Sequence, residues 1–405
     1  MSEPAAGLHG EQGRAALAAA MAEKDPDSLA AATRLRKDFA PELAAEALGQ
    51  AALRRRAGTK FGERAVELFF TADALEQATR PAVAAGRARR MRDEGITRAV
   101  DLGCGIGADA LAFLAAGIAV TAVELEPLTA AHARANLALR QAQGSENEAQ
   151  GTMAEPGEAQ VITGDAVELA PELLAGAGPE TCVFVDPARR TELGRTWRVE
   201  AFTPPWDFVM SLLKGPHSAV VKLGPGVPRT LLPPGVEVLW TSDRGDVVEA
   251  TLWRTPEAGR GRGAVLLPED VRVDADPAAE ALPVASVGRY LLEPDGAVIR
   301  AGALDQVQPG AWLLDPQVAY LSSDEPHRGR LATSFEVLED LDFNPKLLKA
   351  WVRDNRIGTL EIKKRAIDVD PAELRKRLAP RGPNSATLVL ARTVQGSRAL
   401  VCRRV

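Results

Sequence analysis

Four carboxylates, Asp101, Glu124, Asp165 and Asp186, each stand at the end of an apolar, strand-forming run, and Gly103, Gly105 and Gly107 follow the first of them at alternate positions. The stretch from Arg98 to Gly107, RAVDLGCGIG, reads as a strand and a tight turn, and the helix-forming run ADALAFLAAG comes next. Glycine suits such a turn because it adopts positive φ and lets a ligand approach the backbone with no Cβ in the way. In open α/β sheets ligands sit outside the carboxyl ends of the strands, so acids at four strand ends line one crevice.

The glycine loop taken alone fits two ligand chemistries. Gly103, Gly105 and Ala108 also satisfy the dinucleotide pattern GxGxxG/A, which brings a pyrophosphate to a helix N-terminus. Asp101 separates the two, because a carboxylate two residues before the first glycine repels phosphate and suits a cationic ligand without phosphates. S-adenosylmethionine, with an ammonium and a sulfonium, is such a cofactor. The second strand, Ala119 to Leu125, ends in Glu124 and Glu126, roughly 20 residues past the loop, where a carboxylate reaches ribose hydroxyls in either case. Glu126, before Pro127, reads rather as a helix-start charge, and a one-turn shift would exchange the two. Gln160 to Asp165 and Thr181 to Asp186 supply the third and fourth strands.

On these residues the chain resembles the class I methyltransferases, and specifically the bacterial group that joins such a domain to a C-terminal THUMP-like domain, with kinship to trimethylguanosine synthases. The parts that carry the resemblance are DLGCGIG at 101–107, VELEP at 123–127, TGD at 163–165, DPARR at 186–190 and the tail from Phe343 to Leu378. GRYLLEPDGAVIRAG, from Gly288 to Gly302, is similar to this group as well. The resemblance implies that Asp101, Gly103 and Gly105 hold the methionine part of S-adenosylmethionine, Glu124 the ribose and Asp165 the adenine amino group, with Gly107 also among the cofactor-binding residues. Asp186, with Pro187, then faces the methyl acceptor.

The fourth motif departs from the usual amine-directed form. That form has an acid or Asn, two prolines and an aromatic ring that stacks on the target base; here the run is Asp186, Pro187, Ala188, Arg189. Stacking must then come from elsewhere, and Trp197, Phe202 and Trp206 follow in the next loop. Arg189 and Arg190 offer contacts to a phosphate or to the domain's own acids. Thr203 to Trp206, TPPW, looks closer to the amine-directed motif than DPAR does, but no apolar strand precedes it, and prolines before DFVMSLL fit a helix start. Methyl transfer is an in-line displacement that needs alignment and exclusion of water more than a strong base. Asp186 would orient the acceptor lone pair and take its proton. Lys222, in VVKLGPG, reads as a strand-end charge, with a catalytic role as the alternative.

The elements that must position these residues follow from composition and periodicity. Residues 1–95, rich in Ala, Leu, Arg and Glu, read as a helical N-terminal region, with a helix start at Asp25 to Ser28 and a break near Pro81. Arg54 to Arg56 and Arg87 to Arg92 are basic clusters that read as solvated helix faces, with RNA contact as the alternative. Residues 96–255 form the methyltransferase domain, a Rossmann-like α/β sheet with a fifth strand at Ser218 to Leu223 and a closing pair at Val236 to Trp240 and Val247 to Trp253. Gln141 to Ala159 lacks apolar periodicity and reads as a disordered insertion. Residues 256–332 are a connecting region with short strands such as RGAVLL, and 333–405 a small α+β, THUMP-like domain.

Charge divides unevenly. Residues 333–405 carry 15 Lys and Arg against 9 Asp and Glu, a balance of +6 in a chain of net charge −6, so the remainder stands at −12. Such asymmetry fits an RNA-presenting appendage and equally an ordinary solvated surface. Lys363, Lys364 and Arg365 read as a solvated strand or loop charge run, with RNA contact as the alternative that the resemblance favours, and tRNA or rRNA is the partner the resemblance implies. No segment has the apolar length of a membrane span or a signal peptide, which points to the cytoplasm. Cys104, Cys182 and Cys402 form no CxxC, and the four histidines lack metal-ligand spacing, so no metal site is expected. The expectation is an S-adenosylmethionine-dependent methyltransferase acting on RNA at a base nitrogen. A protein or small-molecule methyltransferase, or an inactive RNA-binding module, is the alternative.

Overall fold

A computed structural model describes residues 7–148, 158–189, 197–259 and 261–405. The chain divides into two compact units, Met1–Leu232 with Thr251–Gly259, and Pro233–Ala250 with Arg260–Val405.

The first unit opens with α1 (Glu11–Ala22), α2 (Leu29–Leu35) and α3 (Pro41–Phe61). Their shared core is made largely of alanines, among them Ala16, Ala20, Ala31, Ala44, Ala47 and Ala51. Small side chains let these helices approach closely. Ser28 starts α2 by accepting the Ala31 N–H at 3.2 Å, as the sequence indicated. The segment to Met91 breaks into α4 (Ala72–Gln77), capped by Thr71, and α5 (Pro81–Asp93), with Pro81 at its first turn.

A parallel sheet follows, with β1 (Arg98–Leu102), α6 (Ala108–Ala115), β2 (Ala119–Glu124), α7 (Pro127–Glu148), β3 (Ala159–Thr163), α8 (Ala166–Leu173) and β4 (Thr181–Val185). The short strands β5 (Ala188–Arg189) and β6 (Phe202–Thr203), then α9 (Trp206–Lys214) and β7 (Ser218–Leu223), complete it. β1 pairs in parallel with β2 and β4, β2 with β3, and β4 with β7, so the order reads β7-β4-β1-β2-β3. The order reverses beside β1, which fixes a ligand crevice at the carboxyl ends of β1 and β4. Strands β4 and β7 are buried along their length, as expected of a sheet covered by helices on both faces. The run read as a disordered insertion starts differently, because the backbone of α7 stays helical through Glu148; residues 149–157 lie outside the described residues.

The second unit holds β8 (Glu237–Asp243) and the first half of β9 (Asp246–Arg254), joined by a two-residue turn with Arg244 at φ 55° and Gly245 at φ 88°. β10 (Arg262–Leu267) runs parallel to β8 and antiparallel to β11 (Val271–Asp274). The stretch 256–332 continues with β12 (Tyr290–Pro294), α10 (Gly296–Ala301), β13 (Trp312–Asp315) and β14 (Val318–Ser323). The C-terminal part adds β15 (Ala332–Asp342), α11 (Pro345–Asp354), β16 (Ile357–Arg365), α12 (Pro371–Leu378), β17 (Asn384–Thr393) and β18 (Gly396–Arg404). One sheet, β13-β14-β12-β15-β18-β17-β16, takes strands from both stretches. The amphipathic α11 and α12 pack Leu348, Val352, Leu374 and Leu378 against its Leu360, Leu388 and Val401. Among the described residues no helix is long and apolar enough to cross a membrane.

Candidate active site

The loop after β1 depends on its glycines for conformation. Gly103, Gly105 and Gly107 have φ of 95°, 57° and 82°, in the left-handed region that costs an L side chain about 1–2 kcal/mol. A Cβ on Gly107 would meet Leu137 at 3.4 Å, whereas one on Gly103 or Gly105 would meet no protein atom within 4 Å. Those two glycines border a cavity of about 680 Å³ at the carboxyl ends of β1, β2, β3, β4 and β7. A Cβ there would take ligand space.

Glu124 ends β2 and turns back toward the loop. Its Oε2 accepts the Gly105 N–H at 2.9 Å and its Oε1 the Glu126 N–H at 3.0 Å. Glu126 lines the cavity too, and its carbonyl accepts the Ala130 N–H in the first turn of α7, a helix-start position. Asp165 lies on the lining and caps α8, accepting the Val167 N–H at 2.7 Å. Asp101 is different. It is 1% exposed, stands off the cavity lining, and among the described residues neither carboxylate oxygen has a hydrogen-bond partner. Burial, reinforced by Asp109, Asp186 and Glu124 and opposed by Lys222, pushes its carboxyl well above the usual range.

Asp186 follows β4 at the cavity wall with its side chain 32% exposed, and its Oδ2 pairs with the Lys222 ammonium. Lys222, at the end of β7, also donates to Thr79 Oγ1 at 2.8 Å and stands 3.9 Å from Asp109 Oδ2. Thr79 donates to that Asp109 oxygen at 2.6 Å, and Arg87 pairs with the other. Burial opposes ionisation of Asp109, yet the charges of Arg87 and Lys222 and the Thr79 hydrogen bond outweigh it and hold this acid below the usual range. Two buried acids eight positions apart are thus driven in opposite directions.

The TPPW segment has more than a helix-starting role. β5 pairs antiparallel with β6, Ala188 opposite Thr203, and this brings Thr203, Pro204 and Pro205 onto the cavity wall beside Asp186 and Ala188. Trp206 begins α9 and is 9% exposed, its ring 5.0 Å from that of Phe202, and the Trp197 ring lies 6.3 Å from Phe202. Neither indole reaches the lining, and among the described residues no aromatic ring does. Trp206 is buried and Trp197 half-buried, so among the described residues the cavity wall beside Asp186 is formed by Thr203, Pro204 and Pro205. The side chain of Arg189, and Arg190 as a whole, lie outside the described residues.

Sequence reasoning missed one wall entirely. Thr71, Asp73, Ala74, Gln77, Ala78 and Thr79, from α4 and its flanks, border the cavity, so the N-terminal region builds part of the site. Asn136 on α7 anchors that region, accepting the Phe69 N–H and donating to the Phe69 and Ile106 carbonyls. Arg87, read as a solvated helix charge, is buried against Asp109 and lies 5.0 Å from the Phe184 ring. The available signals were Lys222 within the apolar run SAVVKL and Asp109 within ADALAFLA.

In the second unit, Lys363, Lys364 and Arg365 lie on the edge strand β16. Lys363 pairs with Glu293 at 2.6 Å and stands 5.4 Å from the Phe335 ring, and Arg365 stands 5.6 Å from the Tyr320 ring. Lys364 and Arg365 are exposed. Among the described residues no group of His, Cys, Asp and Glu is arranged to hold a metal ion.

Sheet order, glycine loop and acids at the strand ends define a Rossmann-like methyltransferase domain. A crystal structure described as a "putative methyltransferase" from Porphyromonas gingivalis W83 superposes with a TM-score of 0.75 over 96% of this chain and 98% of its own, at 22% identity, which shows the fold. Two proteins of Mycobacterium tuberculosis, from strains H37Rv and CDC 1551, both described as uncharacterized S-adenosylmethionine-dependent methyltransferases, are 34% identical over 373 residues, covering 87% of this chain and 94% of theirs. Residues 332–404 match the THUMP domain-like family, and residues 3–57 match a domain of unknown function. The chain belongs to this family of S-adenosylmethionine-dependent methyltransferases.

The site fits that cofactor. A cavity of about 680 Å³ suits a nucleoside-sized ligand, the open space above Gly103 and Gly105 admits one, and the acids Glu124, Glu126, Asp165 and Asp186 on its lining suit a cation. When bound, S-adenosylmethionine supplies an electrophilic methyl group on sulfur.

Proposed function

We propose that this methyltransferase acts on RNA, at a nitrogen of a base, with Gly103, Gly105 and Asp101 at the methionine end of the cofactor, Gly107 shaping the loop that binds it, Glu124 at the ribose and Asp165 at the adenine amino group. Asp186 receives the acceptor. The observation that carries this reading is the state of its carboxylate: Oδ2 is bound by Lys222, and Oδ1 has no partner among the described residues. An N–H of the acceptor donates to Oδ1, which orients the nitrogen lone pair and takes the proton released when the N–C bond has formed. Pro187 fixes the turn that leads out of β4, and Pro204 and Pro205 offer flat apolar surface in place of an aromatic ring. The THUMP domain-like match and the basic balance of residues 333–405 support RNA as the partner.

A second reading has its own observation. The lining carries the six acids Asp73, Asp109, Glu124, Glu126, Asp165 and Asp186 against one lysine, which favours an acceptor with no phosphate at its reacting end, such as a protein or metabolite amine. Transfer of labelled methyl from S-adenosylmethionine to total RNA, a protein extract and a metabolite pool in parallel separates the two. Label in RNA supports the first reading, and label only in another pool supports the second. Cofactor binding with no label in any pool favours a binding module. Asp186→Ala retains cofactor affinity and loses transfer in either enzymatic case.

A further inference from the structure

We infer that Lys222 is a positioning residue for methyl transfer, one that fixes the Asp186 carboxylate so that a single oxygen, Oδ1, is presented to the acceptor. The inference rests on the reading that Asp186 receives the acceptor.

All six residues of β7 are buried, and an ammonium in such a strand is costly unless paired. Lys222 meets that cost with Thr79 and the two acids Asp109 and Asp186. The two acids are not equivalent partners. Asp109 is already neutralised by Arg87 on Oδ1 and hydrogen-bonded by Thr79 on Oδ2, and it is only 6% exposed. The charge of Lys222 therefore balances Asp186, the partly exposed acid on the cavity wall. A carboxylate rotates broadly about its last torsion unless something holds it. Asp186 sits in a loop between β4 and β5, and among the described residues its carboxylate pairs with Lys222 alone. Lys222 is itself held from behind by Thr79, which the Asp109–Arg87 pair anchors to α5 and α6. The chain Arg87, Asp109, Thr79, Lys222, Asp186 runs from the interior to the acceptor and sets one rotamer at its end. Lys222 is also the one cation among the described residues of the lining.

The test compares the full chain with Lys222→Met and Lys222→Arg by three measurements. These are S-adenosylhomocysteine affinity by calorimetry, crystal structures of the S-adenosylhomocysteine complexes, and kcat and KM for labelled methyl transfer to whichever pool the wild type labels. For a positioning residue, Lys222→Met leaves S-adenosylhomocysteine affinity within about twofold, since the groups that hold the cofactor loop are separate. It rotates the Asp186 carboxylate away from its wild-type orientation and lowers kcat about 10- to 100-fold with KM little changed, the loss of one charged hydrogen bond. Lys222→Arg recovers part of kcat. An Asp186 carboxylate that keeps its orientation in Lys222→Met, or a kcat that does not change, overturns the inference. Label only in protein or metabolites overturns RNA as the acceptor class while Lys222 is still judged on that pool. With no label in any pool, the crystal structures decide. Should Lys222→Met not fold, Lys222→Gln, which keeps a donor but no charge, is taken through the same measurements.

Discussion

Replacing Glu124 with Gln probes the cofactor site at the residue that joins two of its walls. Glu124 accepts the Gly105 N–H at 2.9 Å and the Glu126 N–H at 3.0 Å, so its carboxylate is held between the glycine loop and the entry to α7. Glutamine keeps one acceptor oxygen and presents an NH2 where a second acceptor is needed. Losing one hydrogen bond to a charged group costs about 1.5–3 kcal/mol. If that loss falls on the ribose hydroxyls, S-adenosylmethionine binds about 10- to 150-fold more weakly. If it falls on the loop, the fold loses stability instead, at about 2–4 °C in Tm per kcal/mol for a unit of this size. Calorimetry with S-adenosylmethionine and with 5′-methylthioadenosine, which keeps the ribose and adenine but lacks the amino acid, distinguishes the sites of loss. A ribose ligand must weaken both by a similar factor. Weakened S-adenosylmethionine with unchanged methylthioadenosine would move Glu124 to the amino-acid end, and unchanged binding of both would remove it from the cofactor site.

Asp101 has a carboxyl raised by burial, so its contribution to stability is present while it stays protonated and is lost as pH rises from the ordinary carboxylate range through its folded value. Asp101→Asn should therefore flatten the decline of Tm toward high pH in the cofactor-free protein and weaken S-adenosylmethionine binding; parallel Tm profiles would contradict this. His132, hydrogen-bonded to His9 at 3.1 Å, is pushed down to about 4 by burial and then by His9. Its contribution is intact above pH 6.5 and is lost as pH falls toward 4, at most about 3 kcal/mol. His132→Phe should flatten that acid limb in pH-dependent thermal unfolding. Lys364→Glu with Arg365→Glu should weaken RNA binding and reduce the salt slope by about 0.7–0.9 for each phosphate that is freed, measured by titration at several salt concentrations. An unchanged slope would show that β16 does not touch the RNA.

The sequence by itself determined the elements whose signal is local. A glycine at alternate positions after an apolar run dictates a tight turn through residues that touch one another along the chain, and an acid at the end of such a run is placed by the strand it ends. That is why Gly103, Gly105, Glu124, Asp165 and Asp186 reach one cavity as their spacing indicated. What the sequence did not contain is which distant side chains meet. Thr79 and Lys222 bond across 143 positions, and nothing in either neighbourhood announces the other. Tertiary structure alone decided that Arg87 is interior, that α4 closes one wall, and that the pairing of β5 with β6 brings Pro204 and Pro205 beside Asp186. It also turned Trp206 inward and left Asp101 without a hydrogen-bond partner among the described residues. Backbone geometry and hydrophobic periodicity are properties of short segments, whereas compensation of buried charge depends on whatever the fold brings within a few ångströms.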